Sequence, residues 1–362
     1  MEIVRPAATA TAVRQLGALV AIARAARDGL GQPQRAFLNA VQRCILETDE
    51  DLDALPIVSF PDVASPDEIA AGPLDAREAR QLIRLMVVTC LANGLPSRAQ
   101  IALLERYATA LAVREPAIST IRHLAYGHIW RFRVAFLRRS HFRLYFRNTY
   151  RRSGSALRVL RAVLIFRGIL REDAATIHRY RALGMLPNGS LGRCFFDHLR
   201  TARLPFPGER GGFPEGAIFH DFAHVLAGFD TTPEGEMQAA AFQAGFTRDA
   251  VDFFTWLFSI VLHTTGINLL PFSIPLRVGR IGEGTLAVDV LDALKRGSAV
   301  ATDLGADWDY WQDVALPLAS ARARLGIPPN AAPFDASGRR KPGVAVHEAA
   351  ESAQDETAAM AR

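Results

Sequence analysis

Two histidines and two carboxylates stand close enough along the chain to share one cation: His220-Asp221-Phe222-Ala223-His224, then eleven residues, then Glu236. His220 and His224 are i and i+4, so a helix would project both imidazoles from one face. Asp221 lies three residues before His224 and flanks that face. Gly228 lets the chain turn. Thr232 suits a helix N-cap and Pro233 the first helical position. Glu236 then falls in the first turn of the next helix, from where it can point back at the histidines. Two imidazoles with one or two carboxylates form a mixed nitrogen and oxygen site for a divalent ion such as zinc, iron, cobalt or manganese.

Other chemistries use similar residues. A His pair at this spacing is, by itself, more often structural than ligating. The metalloprotease pattern needs a glutamate directly after the first histidine as general base; here that residue is Asp221, and no third histidine follows nearby. A phosphohydrolase of the HD class would need an earlier histidine and a later aspartate. His198 and Asp289 or Asp303 are available, but that class does not require His224 and Glu236.

The elements that must position these residues read as helices. Ala8 to Asp28 has apolar residues at 3–4 spacing and Gly29 behind it; Arg35 to Leu46 is a second helix. Residues 48–74 hold four prolines and form a connection. Asp75 caps a third helix ending near Leu91 at Asn93-Gly94, and Ser97 with Gln100 forms a capping box for the next. This predicts an N-terminal helical domain over 1–115 and an arginine-rich segment over 116–175. The helical pattern resumes over 176–328, and a disordered tail is expected over 329–362, where large apolar residues are few. The fold class expected is all-α.

Composition bounds the rest. With 362 residues, 49% hydrophobic and 22% charged, the chain has enough apolar surface for a sizeable core and is not wholly disordered. Three widely spaced cysteines, Cys44, Cys90 and Cys194, exclude a disulfide framework and a cysteine-rich zinc site. The start, with Arg14, Arg24 and Arg27 inside its apolar stretches, lacks a secretory signal and reads as mature protein. Phe253 to Leu276 is uncharged, yet Pro271, Pro275, Gly266 and Asn268 favour a buried helix followed by a loop over a membrane span. In that helix Phe254, Trp256, Leu257, Phe258 and Val261 offer an apolar wall for a lipid tail, or simply core. His263 reads as a core histidine.

Charge is unevenly spread. Pro116 to Arg171 carries 13 arginines and no acidic residue or lysine, although the whole chain has a net charge of only +5. Arg139, Arg143, Arg147 and Arg151 recur every fourth residue among aromatics, and a helix would align them. Such a face suits an anionic membrane surface, nucleic-acid phosphates, or packing on acidic parts of the same protein. No helix-turn-helix or RNA-recognition signature accompanies it, so no nucleic acid partner is expected.

The H-D-x-x-H-x11-E pattern resembles the hallmark of the ubiquinone (coenzyme Q) biosynthesis protein family named Coq-four. Leu186-Pro187-Asn188-Gly189-Ser190-Leu191-Gly192-Arg193 is similar to that family's L-P-x-G-[ST]-L-G-[RH] segment. Ala293–Val300, Asp303, Trp308, Tyr310, Trp311 and the stop Arg322-Ala323-Arg324-Leu325-Gly326-Ile327 resemble its final helices. The resemblance covers about residues 180–328. Where many members carry a Y-x-x-x-R-Y-R-E stretch before the first histidine, this chain has Pro207-Gly208-Glu209-Arg210-Gly211-Gly212. Separately, Val87–Val113 loosely resembles tellurite-resistance B-like helical domains, without the acidic residue expected in their turn.

The Coq-four resemblance implies an all-helical, membrane-associated protein, often a homodimer. It implies His220, Asp221, His224 and Glu236 as metal ligands. The implied substrate is a polyprenylated quinone precursor. The implied activity is oxidative decarboxylation with hydroxylation at ring carbon one, by a metal-dependent enzyme. The alternative is a non-enzymatic prenyl-lipid-binding scaffold with a structural metal, organising other quinone-biosynthesis proteins. Location would be cytoplasmic, peripheral on the inner membrane. The residues alone identify no catalytic acid or base and no reducing-cofactor motif.

Overall fold

In the computed structural model of the chain the described residues are, short gaps apart, 1–46, 64–139, 154–166, 172–248, 251–269 and 277–328, with isolated positions between 147 and 169. The fold is all-α: among the described residues no strand occurs, only an isolated bridge between Ser190 and Pro317. The expected tail over 329–362 lies outside the described residues. The chain divides into two compact units, Met1–Ser140 with Phe253–Lys295, and His141–Asp252 with Arg296–Arg362.

The first unit is built around helix Thr9–Arg24, whose Leu16, Ala18, Leu19, Ile22 and Ala23 are fully buried. Local chemistry sets the helix starts. Asp75 Oδ1 accepts from the Arg77 and Glu78 amides at 2.7 and 2.8 Å, opening helix Ala76–Leu91. Ser97 and Gln100 close a reciprocal box at the start of helix Arg98–Ala110. Both side chains also reach the first helix: Ser97 Oγ donates to the Ala25 carbonyl at 2.7 Å and Gln100 Nε2 to that of Ile22 at 3.1 Å. One cap thus starts a helix and docks it. The second helix begins earlier than its apolar pattern suggests, at Gln32, because Pro33 occupies the first turn and Gln34 Oε1 accepts from the Gly31 amide.

Helices Ile129–Arg139 and Asp252–Thr264 belong to this unit, so residues 116–140 and 253–295 join the N-terminal helices. The physical reason is aromatic packing. Phe132 and Phe136 are fully buried, and Phe136 meets Phe254 and Phe258 at 5.8 and 5.9 Å between centroids. Trp256 packs on Phe37 at 6.5 Å. Phe254, Trp256, Leu257 and Val261 are buried and Phe258 half-buried. The apolar wall expected from these five side chains is therefore used as interior packing. No helix among the described residues is long and apolar enough to cross a membrane.

Of the arginine row expected on a membrane face, the structure describes Arg139, Arg147 and Arg151. Arg139 ends its helix turned inward, donating to Thr120 Oγ1 at 2.8 Å and Ser119 Oγ at 3.2 Å. Arg143 lies outside the described residues; Arg147 and Arg151 occupy helical positions, half-buried and exposed. What the helix turns to solvent is Trp130, Val134 and Leu137, exposed to 74%, 37% and 52%. They stand at i, i+4 and i+7, the face opposite Phe132 and Phe136.

The second unit contains helices Ala156–Phe166, Ala174–Arg181, Leu191–Thr201, Phe219–Ala227, Pro233–Phe246 and Leu318–Leu325. Its ends meet at the Ser190–Pro317 bridge, where the Leu191 and Gly192 amides donate to Leu316 and Val314 and the Leu318 amide to Gly189, all at 2.8–2.9 Å. The Leu186–Arg193 segment and the last helix, distant in sequence, are thereby locked together. Phe222, on the buried back of the helix bearing the histidines, stacks on Phe195 at 4.1 Å and meets Tyr310 and Trp308 at 4.8 and 5.4 Å.

Candidate metal centre

Helix Phe219–Ala227 presents His220 and His224 to the first turn of helix Pro233–Phe246. The turn between them follows the expected chemistry. Gly228 takes φ +77°, a left-handed conformation that suits glycine, and its amide closes on the His224 carbonyl. Thr232 Oγ1 accepts from the Gly235 amide at 3.1 Å, and Pro233 starts the helix. The last carbonyls of the histidine helix are satisfied from far away: Arg322 donates to Leu226 and Val225, and Arg296 to Ala227. Two cations at a helix C-terminus also oppose its negative end.

Within this frame Glu236 comes back to the histidines. Glu236 Oε2 lies 3.3 Å from His220 Nε2 and Oε1 lies 3.5 Å from His224 Nε2, while the two Nε2 atoms are 3.4 Å apart. The three residues form a group whose donor atoms lie within 4.8 Å of one another. Metal bonds of about 2.0–2.1 Å at tetrahedral angles separate neighbouring ligand atoms by about 3.3 Å, so the triangle is the size a small divalent ion requires. Two imidazoles and one carboxylate are the donor set of catalytic zinc sites and of non-haem iron(II) sites, both of which keep open positions.

The far sides of both rings are held. His220 Nδ1 faces Gln243 Oε1 at 3.0 Å, and His224 Nδ1 faces the Phe229 carbonyl at 3.3 Å. The Phe229 carbonyl selects the His224 tautomer with hydrogen on Nδ1, which leaves its Nε2 lone pair directed at the centre, and the Gln243 amide oxygen does the same for His220 when it accepts from Nδ1. His198 stacks on His224 at 5.4 Å and 29°. Exposure grades across the group: the His224 side chain is 1% exposed, His220 22% and Glu236 36%. The centre therefore opens to solvent on the Glu236 side.

Electrostatics point the same way. Burial opposes a charge on His220, but the hydrogen bond and charge of Glu236, with Asp221 nearby, outweigh it and raise its pKa to about 9. Burial also works against the Glu236 carboxylate, yet the two imidazoles hold it well below the usual carboxylate range. With its hydrogen on Nδ1, His224 accepts at Nε2 as the Glu236 carboxylate does, so either a hydrogen on His220 Nε2 or a metal ion lies among the three. Asp221 is buried, which pushes it up to about 6 against the pull of both histidines. It contributes no atom to the converging group, so the fourth ligand expected by resemblance stays at the side of the site. Asp303 caps backbone, accepting from the Arg248, Gly305 and Ala306 amides, and Asp289 accepts from Thr285 Oγ1 at 2.7 Å. Neither belongs to the converging group.

Gln243 and the Phe229 carbonyl were missed by the sequence reading. A signal existed for the first: Gln243 is seven residues after Glu236, two helical turns along the same face. Replacing Gln243 with Leu should lower metal affinity about 10–100-fold, as loss of an outer hydrogen-bond partner does, with the helical content unchanged. Titration of the purified variant with zinc checks this; wild-type affinity would mean the amide does not orient His220.

A scan of the chain against protein-family models and a search of curated proteins each return no match. The resemblances to the Coq-four and tellurite-resistance families therefore stand on the residues quoted for them.

Proposed function

We propose that this chain is a metal-dependent, membrane-associated protein acting on a prenylated aromatic ring in quinone biosynthesis. The observation that carries the metal half is the convergence of His220, His224 and Glu236 within 4.8 Å. The substrate half is supported by the Coq-four resemblance, whose quoted segments, Leu186–Arg193 and Arg322–Ile327, lie in the unit that holds the centre. A bound divalent ion would supply a Lewis acid for a ring oxygen or carboxylate and, if redox-active, a change of oxidation state. The chain's own residues do the rest. His220 and His224 bind through Nε2, Gln243 and the Phe229 carbonyl orient them, and Glu236 brings the negative charge. The buried aromatics behind Phe222 keep water from that side.

The test is complementation in a host that needs the chain for its quinone pool, with metal content measured on the same preparations. A folded His224→Ala chain should lose both the ion and the restored pool. Full restoration by an ion-free variant would defeat the catalytic reading.

For the membrane half, the supporting face is Trp130, Val134 and Leu137 with the exposed arginines Arg131 and Arg138 beside them. An amphipathic helix of this kind lies in the interface, where tryptophan is favoured and each cation adds about 1 kcal/mol on anionic lipid. Replacing Trp130 and Leu137 by Ala should weaken sedimentation with phosphatidylglycerol vesicles about tenfold or more, by loss of apolar burial. Arg139→Gln should have little effect, since Arg139 faces Thr120. The reverse ranking would move the contact to the arginine row.

A further inference from the structure

The end of helix Leu191–Thr201 and the segment after it line an open cleft of about 610 Å³ in the second unit, formed by residues outside the metal group. The lining has two chemistries. Phe196, Leu199, Leu204, Pro205 and Phe206 are apolar; the Phe196 and Phe206 rings stack on each other at 5.3 Å and 29°, with Phe206 buried, so Phe196, Leu204 and Pro205 are the apolar side chains left half-buried at the cleft. Arg181, Arg200 and Arg203 supply three positive charges against one carboxylate, Glu209.

The carboxylate is already committed. Glu209 accepts from Arg181 at 2.5 Å and from the Phe206 amide at 2.9 Å, which ties the loop to helix Ala174–Arg181. Arg200 and Arg203 are left with no carboxylate partner among the described residues; Arg200 has only the face of Phe196, 5.8 Å away. Both guanidiniums are exposed at the cleft. A guanidinium fork matches a phosphate, sulfonate or carboxylate in two parallel hydrogen bonds, and gains most beside apolar surface that excludes water. The volume falls in the range of small-molecule sites, which combine an apolar lining with a few polar groups that fix orientation.

We propose that this cleft binds a small anionic amphiphile, its phosphate, sulfonate or carboxylate held by Arg200 and Arg203 and its apolar body seated against Phe196, Leu204 and Pro205. The site is independent of the metal group and of the function proposed for it. The anion belongs either to a free small molecule or to a lipid headgroup, and the tail distinguishes them.

The test is calorimetric titration of the full chain with 1-naphthyl phosphate, dodecyl phosphate and inorganic phosphate. Naphthyl phosphate should bind at least tenfold more tightly than inorganic phosphate. The Arg200→Ala, Arg203→Ala double variant, altered only at exposed side chains, should weaken it at least tenfold, with the circular dichroism spectrum unchanged. Arg203→Lys should recover part of the loss, since a point charge replaces the fork. Tighter binding of dodecyl phosphate that is also lost in the double variant would assign the headgroup source, and tighter binding of naphthyl phosphate the free one. Undiminished binding by the double variant, or equal affinity for the naphthyl and inorganic phosphates, would overturn the proposal. Glu236→Gln should leave naphthyl phosphate binding unchanged, so failure here and failure of the metal centre are separable.

Discussion

Glu236→Gln should abolish stoichiometric metal binding while leaving the helical fold intact. Loss of a hydrogen bond behind a ligand costs roughly 10–100-fold in affinity, so loss of the charged ligand itself should exceed about 100-fold. The fold survives because Thr232, not Glu236, caps the helix, and the Glu236 side chain is 36% exposed. The same variant separates the ion from the proton it displaces. In the metal-free protein His220, raised to about 9, is charged at neutral pH, and Glu236 is its counter-charge.

The sign then follows. The raised His220 pKa contributes stability that is complete below its ordinary value near 6.5 and is lost as pH climbs through about 9. The lowered Glu236 pKa contributes stability present above its usual 4.5 and lost as pH falls through its folded value. A metal must displace the His220 proton, so its affinity should rise about tenfold per pH unit between roughly pH 6.5 and 8, with about one proton released. Titration calorimetry in buffers of different ionisation enthalpy reads that proton directly. In Glu236→Gln the counter-charge that raises His220 is gone, so the residual, weak binding should release a smaller fraction of a proton. A wild-type affinity independent of pH, or a Glu236→Gln protein that still holds one ion tightly, would mean that these three side chains are not the ligands.

How much of this was readable beforehand depends on the range of the interaction. Asp75, Ser97 with Gln100, and Thr232 with Pro233 were legible because a cap is made within four residues. The i, i+4 pairing of His220 with His224 was legible for the same reason, and so was the need for a turn at Gly228. Arg322 and Arg296 were legible only as residues, because the carbonyls they satisfy lie 96 and 69 positions away. The apolar helix 252–264 was legible as a helix, yet periodicity names a face and not what covers it. Phe37 and Phe136, both distant in sequence, decided that. The partners of Arg139 were out of reach for a related reason: a four-residue repeat aligns it with its successors, while Thr120 and Ser119, which accept from it, lie 19 and 20 positions back. Asp221 shows the limit of spacing. Adjacent positions stand about 100° apart around a helix, so nearness in sequence to His220 does not by itself bring a carboxylate into the converging group.

Gly235→Ala should damage both stability and metal binding, although helix propensity alone favours alanine by about 1 kcal/mol. A methyl group at Gly235 would stand 2.2 Å from the Asp230 carbonyl oxygen and 2.3 Å from Asp230 Oδ1. The first contact is with backbone and cannot be relieved by a rotamer change. Overpacking costs about 1–3 kcal/mol, and a contact this short against backbone belongs at the upper end, so it outweighs the propensity gain and lowers Tm by several degrees. The function of the site is exposed to the same shift. Asp230 follows Phe229, whose carbonyl orients His224, and Gly235 precedes Glu236. Pushing the two backbones apart therefore moves a ligand and a ligand's support together, and zinc affinity should fall at least about tenfold. A second variant decides between the two contacts. Removing the Asp230 side chain as well, in Asp230→Ala, Gly235→Ala, relieves the contact with Oδ1 and leaves the one with the carbonyl oxygen. Because the backbone contact is the closer one, the double variant should regain little affinity. A single variant more stable than wild type and fully metal-loaded would show that the turn yields to a methyl group, and that the close approach at Gly235 is not what sets the distance from Glu236 to the histidines.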